Sequence, residues 1–218
     1  LDNNKIEIKN DFGNYTLMGN VVDEFLSWVK VENPKELKIS SETLKGLINK
    51  TLYAVSRDDI KPALQGVLFK MEDNQMVVVS TDGAKLVKLN CENQNKTTFS
   101  GSVILPVRFL SVLKNHLMDE EITILIGDNH ALVKTAEAEI STRIINQKYP
   151  DYDSVIPEDN DKNIFVDKEM ILSSIKRVLI FSNRATNQIS LNFKKNEVKV
   201  FTQDQENVST GEEKIPCK

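Results

Sequence analysis

Two hydrophobic periods alternate along the chain. Short runs with every second residue apolar predict strands. Three longer runs with apolar residues three and four apart predict helices. KIEIK alternates, NDFGN is a turn and YTLMGNVV is a further short strand. ENPKELK reads as a polar, proline-containing connector and a domain boundary. SSETLKGLINKTLYAVS then has helical spacing. Ser40 or Ser41 can cap it, Leu44, Leu47, Ile48, Leu52 and Val55 share one face, and Lys45, Asn49, Lys50 and Tyr53 share the other. ALQGVLFKME, QMVVVST and AKLVKLN follow as strands, with turns at Glu72–Asn74 and Asp82-Gly83.

ENQNKTTFSG is a polar loop and SVILP a strand end. Pro106 suits the first turn of a second helix, PVRFLSVLKNHL, with Leu110, Leu113 and Leu117 inward and Arg108, Ser111 and Asn115 outward. EITILIG, HALVKTA and EISTRII form a three-strand meander, closed by the polar PDYDSVIPEDNDKN. DKEMILSSIKRVLIFSN is a third helix, followed by strands ISLNFKK and EVKVFTQD.

The third helix and its strands echo the first. Val55-Ser56 matches Phe181-Ser182 at an offset of 126, Phe69 matches Phe193 at 124, and Asp82 matches Asp204 at 122. A repeat of about 125 residues is a domain, far longer than a solenoid unit of roughly 20–50 residues. The expected fold is therefore α+β, a duplicated domain of two helices packed on antiparallel sheets. YTLMG followed by EFLSW parallels ISTRI followed by KYPDY, so residues 1–36 resemble the closing strands of an earlier copy. The first residue is Leu1, and the chain is expected to start inside a longer protein.

Composition adds little to this frame. Of 218 residues, 40% are apolar and 28% charged, the range of a globular protein. No apolar run is long enough to span a membrane and the N-terminus lacks the pattern of a signal peptide. Cys91 and Cys217 have no metal-ligand spacing, which fits a reducing cytoplasm. The net charge of −4 leaves room for a local basic face.

Candidate chemistry is sparse. A catalytic carboxylate needs a second acid or a base within reach, and the residues around Asp82 offer neither, while Asp204 repeats it. A turn in which Asp82 bonds the backbone and Gly83 accepts positive φ is the better account. His116 and His130 have no ligand partners, and the Asp151/Asp153 segment places Ile156 and Lys162 where a calcium loop needs Gly and Glu. No phosphate-cradling glycine loop is present, and neither cofactor nor metal is expected. The outer helix faces say more. They carry Lys45 and Lys50, then Arg108, then Lys176 and Arg177, a set suited to a phosphate backbone contacted without base readout. Ile180 and Phe181 break the polar side of the third helix. They are either covered by a following strand or meet another subunit. Leu64, Leu86, Pro150 and Val155 can line a shallow groove if the sheet brings them together.

VSRDDIKPALQGVLF, STDGAKL and YPDYDSVIP, in that order, resemble the bacterial DNA sliding clamp family, the DNA polymerase III beta subunits. The resemblance implies tandem clamp domains forming an arc of a ring. Residues 1–36 would be the last strands of domain I, 37–157 a complete domain II and 158–218 the first half of domain III. It implies a homodimeric ring around double-stranded DNA, a processivity factor that performs no chemistry. Partners would be the polymerase III alpha subunit, the clamp loader and other proteins with a clamp-binding motif. Their apolar peptides would enter a groove at Lys61, Leu64, Thr81, Gly83, Ala84, Lys85, Leu86, Pro150, Ser154 and Val155. Lys45, Lys50, Arg57, Arg108, Lys176 and Arg177 would face DNA, and Ile180 and Phe181 would close the ring. Ala84 and Lys85 stand where the family often has His or Arg, Ser154 replaces a frequent Arg, and Pro62-Ala63 replaces an aromatic pair. The competing classes are a carboxylate-dependent hydrolase built on Asp82 and a scaffold without a DNA role.

Overall fold

The computed structural model describes residues 4–20, 30–92, 97–118, 120–136 and 138–218. EFLSW and the Val21-Val22 end of the second predicted strand lie outside the described residues. The chain divides into two compact units, Leu1–Val155 and Ile156–Lys218.

The first unit opens with a hairpin of β1 (Lys5–Asn10) and β2 (Gly13–Met18). Its register sets Ile6 opposite Leu17 and Ile8 opposite Tyr15, an apolar face that stays about half-exposed. The predicted connector is in part a strand. β3 (Lys35–Ser40) starts directly after Pro34 and pairs with β8 (Glu121–Ile126), setting Leu37 against Ile124 and Ile39 against Ile122. The apolar alternation is only two residues long and sits among lysines, so composition concealed a strand whose Leu37 and Ile39 are fully buried.

β3 runs straight into α1 (Ser41–Thr51). The Ser40 hydroxyl accepts from the Thr43 N–H at 3.1 Å, satisfying one of the orphan amides of the first turn. A 3-10 turn, Leu52–Ala54, extends the helix. Then come β4 (Gly66–Glu72), β5 (Gln75–Thr81), β6 (Leu86–Glu92) and β7 (Gly101–Pro106), forming an antiparallel sheet in the order β6-β5-β4-β7. Pro106 caps α2 (Val107–Leu113) one residue earlier than its expected place inside the first turn. β9 (His130–Lys134) and β10 (Glu139–Arg143) complete a second sheet, ordered β10-β9-β8-β3.

Both helices and one face of both sheets share a core. Leu44, Leu47 and Ile48 of α1 and Phe109, Leu110 and Leu113 of α2 pack with Phe69, Val78, Ile124 and Val133. The Ser80 hydroxyl donates to Thr51 O at 2.8 Å and ties β5 to the end of α1. The opposite face of the β4–β5–β7 sheet is apolar too. Leu68, Val79 and Ile104 lie under Ala63, Ile145, Tyr149 and Tyr152. These strands are buried on both sides, which is why VLF and VVV are unbroken apolar runs. The residues after β10 fold back over this outer face.

In the second unit, α3 (Lys168–Leu179) is capped by Asp167, whose carboxylate accepts from the Met170 N–H at 2.8 Å. It packs on β11 (Ser190–Lys194), β12 (Glu197–Asp204) and β13 (Ser209–Pro216), ordered as numbered, around Val178, Val198, Val200 and Ile215. Helix followed by strand meander repeats the plan of α1 and β4–β6. The register corrects one detail of the sequence repeat. Phe69 pairs with Val78, whereas Leu191 pairs with Val200, so Phe69 corresponds to Leu191 and not to Phe193. A slide of two residues keeps every side chain on its face, so alternation could not expose it.

Candidate functional site

The Thr81–Leu86 turn is held by its own side chains. The Asp82 carboxylate accepts from the Ala84 and Lys85 N–H groups, each at 2.9 Å, and binds the Lys85 ammonium. The Thr81 hydroxyl donates to Lys85 O at 2.8 Å and accepts from the Gly83 N–H at 3.0 Å, while Gly83 takes φ +93°. Lys85, above all, holds the Asp82 carboxyl well below its usual range, with the two backbone amides adding to it. Asp82 is thus a turn brace. Asp204 does the same in the second unit, accepting from the Glu206 and Asn207 N–H groups and the Asn207 amide.

Beside this turn lies a groove of about 450 Å³, wholly within the first unit. Leu64, 4% exposed on a short 3-10 turn that starts at Pro62, forms the floor. Thr81, Gly83, Ala84, Lys85 and Leu86 make one side, Pro150 and Val155 the other, and Lys61 stands at the rim. Ser154 is not among the lining residues. Its hydroxyl donates to Asp151 O at 3.0 Å and turns the segment. Asp151 and Tyr152 do line the groove and escaped the sequence analysis. Tyr152 was legible only as part of a motif, since two tyrosines three apart in a polar loop carry no period. Next to it, burial pushes the Tyr149 phenol up to about 12, and its oxygen is out of reach of water.

Lys45, Lys50, Arg57 and Arg108 are exposed in the first unit and Lys176 in the second, and none is in an ion pair among the described residues. Arg177 differs. Its guanidinium grips Glu213 of β13 in a two-pronged contact, 2.6 Å on each arm. Arg177 lowers the Glu213 carboxyl to about 2. A depressed carboxyl stabilises the fold above its ordinary value of 4.5 and ceases to do so as pH falls towards 2. Glu213→Gln is therefore expected to remove part of the acid-induced loosening of the second unit over that window, read by circular dichroism during acid titration.

Ile180 follows the end of α3 and is 78% exposed. Phe181 is half-exposed. Its ring rests on Gly211, where an added Cβ would come within 3.0 Å of the ring, and its carbonyl accepts from the Ser209 hydroxyl at 2.9 Å. One residue of the pair is thus partly seated on β13 and the other is free. No helix among the described residues is long and apolar enough to cross a membrane. None of their His, Cys, Asp and Glu side chains cluster in threes suited to a metal ion.

Helix-and-meander domains with a braced turn beside an apolar groove have the build of DNA-clamp domains. Residues 38–151 match the DNA polymerase III beta subunit central domain and residues 153–216 its C-terminal domain, and the chain belongs to this family. The beta sliding clamp of Chlamydia trachomatis is 26% identical over 177 residues, 81% of this chain and 42% of that protein. That of Synechococcus elongatus is 26% identical over 211 residues, 94% of this chain and 56% of that protein. The chain spans about half the length of the curated relatives it matches. In fold, the DNA polymerase III beta subunit of Pseudomonas aeruginosa superposes with a TM-score of 0.85 at 23% identity, covering 100% of this chain and 60% of that one.

Proposed function

We propose that the protein is a sliding clamp: a homodimeric ring that encircles duplex DNA and tethers the replicative polymerase, acting by binding alone in the bacterial cytoplasm. The observation that carries this is the match of two consecutive beta-subunit domains to one chain. Under this reading Lys45, Lys50, Arg57, Arg108 and Lys176 meet phosphates with no base readout, and Arg177 does so only by sharing its guanidinium with Glu213. Ile180 and the free side of Phe181 meet a second subunit. The groove takes a short partner peptide with apolar side chains, supplied by the polymerase alpha subunit, the clamp loader or other clamp-binding proteins. Leu64, Leu86 and Val155 receive it. The hydrolase alternative lacks support, because the Asp82 carboxylate is fully engaged by its own turn.

Encirclement predicts a topological result that no ordinary DNA-binding surface gives. Protein assembled on circular DNA is expected to stay until the circle is cut and then to leave through the ends, measured by co-elution with DNA before and after linearisation. Equal loss from both forms would rule out encirclement. The phosphate contacts predict salt dependence as well, with log K falling against log salt by about 0.9 for each phosphate neutralised.

A further inference from the structure

Apart from the packing of Tyr149 and Tyr152 over Leu68, Val79 and Ile104, the groove wall formed by residues 146–155 has few fastenings to the sheet. The Ile145 N–H donates to Ile104 O at 3.0 Å and fixes the start of this strap on β7. Beyond that point the Gln147 N–H bonds Ile145 O, and the Ser154 hydroxyl bonds Asp151 O, both within the strap or at its root. Among the described residues, the one ion pair between strap and sheet joins Lys88 of β6 to Asp153 at 2.6 Å. The same ammonium stands 5.5 Å from the centre of the Tyr152 ring. Tyr152 in turn meets Tyr149 edge-on, with centroids 6.4 Å apart.

Pro150 and Tyr152 face two cavities at once. On one side is the groove. On the other is a cavity of about 570 Å³ over Leu68, Ile104 and Ile145. The strap thus separates the two hollows at Pro150 and Tyr152. Lys70, which also lines the rear cavity, is engaged by Glu72 at 2.9 Å.

We propose that Lys88 is a positioning residue for the groove: by binding Asp153 and lying against the Tyr152 ring, it holds the 146–155 strap where Pro150 and Val155 can receive a partner peptide. This rests on the peptide-groove reading above. An exposed ion pair alone contributes little, but a cation shared between a carboxylate and an aromatic face contributes more. A wall already in place spares the peptide the cost of ordering it.

The test uses the 218-residue chain and a fluorescein-labelled hexapeptide containing two leucines and a phenylalanine, read by anisotropy. Lys88→Met is expected to weaken binding about three- to tenfold. Asp153→Lys should do the same, and Lys88→Asp combined with Asp153→Lys should recover part of the loss, because the ion pair returns without the cation on the Tyr152 ring. Hydrogen exchange should quicken at amides 147–155 in Lys88→Met and stay unchanged in β4 and β5. Wild-type binding with unaltered affinity in Lys88→Met would overturn the proposal and leave the groove reading standing. A double reversal as weak as the single variants, or faster exchange throughout both sheets, would also overturn it. No binding by the wild-type chain would remove both.

Discussion

Phe69→Ala is expected to destabilise the first unit by about 3–5 kcal/mol, the usual cost of emptying a buried aromatic site. Phe69 is 1% exposed and lies on β4 with neighbouring strands on both sides, β5 and β7, so its surroundings have little freedom to collapse. It sits in the core that both helices and both sheets share. Phe193 provides the contrast. It is 42% exposed on β11, and Phe193→Ala is expected to cost under about 1 kcal/mol. Urea denaturation followed by circular dichroism would separate the two, with the first unit's transition shifted only by Phe69→Ala. Comparable losses would mean that the repeat aligns these phenylalanines after all, against the strand register.

That contrast shows where sequence patterns lose resolution. Helical spacing located α1, α2 and α3, because an apolar stripe at three and four residues is a long-range signal, over eleven positions in α1, twelve in α3 and seven in the shorter α2. The meander β8–β10 was legible for the same reason in period two. β3 was not, since Leu37 and Ile39 are the sole apolar pair in a strand of lysines, and partnership with β8 some eighty residues later supplies most of its stability. The groove presents a different case. Its residues come from three separated segments, and no period connects Leu64 to Leu86 or Val155; only the ordered motifs did. Side-chain pairing was beyond both kinds of signal. Arg177 on an outer helix face looks like a free cation until β13 brings Glu213 to it, and Lys88 meets Asp153 across 65 residues.

Replacing Leu64 and Leu86 together by Ala is expected to weaken binding of the leucine-phenylalanine hexapeptide by about 2–3 kcal/mol, roughly thirty- to two-hundredfold. Leu64 is almost fully buried at the groove floor, and Leu86 is partly exposed at its side, so the two offer apolar surface at different depths. Leu86→Ala alone isolates the binding term, because little of its side chain supports the core. Leu64→Ala adds a cavity beneath the floor, and its thermal unfolding is needed to apportion the loss. Val112→Ala, on the exposed side of α2, should leave the affinity unchanged. Salt then separates floor from brace. The leucine loss should persist at 1 M salt, where the screening length is about 3 Å, because apolar burial does not depend on charge. The Lys88→Met loss should shrink there, because the wild-type ion pair is itself weakened. An affinity indifferent to both leucines would move the peptide site away from the Thr81–Leu86 turn, and with it the reason for bracing that turn so fully on Asp82.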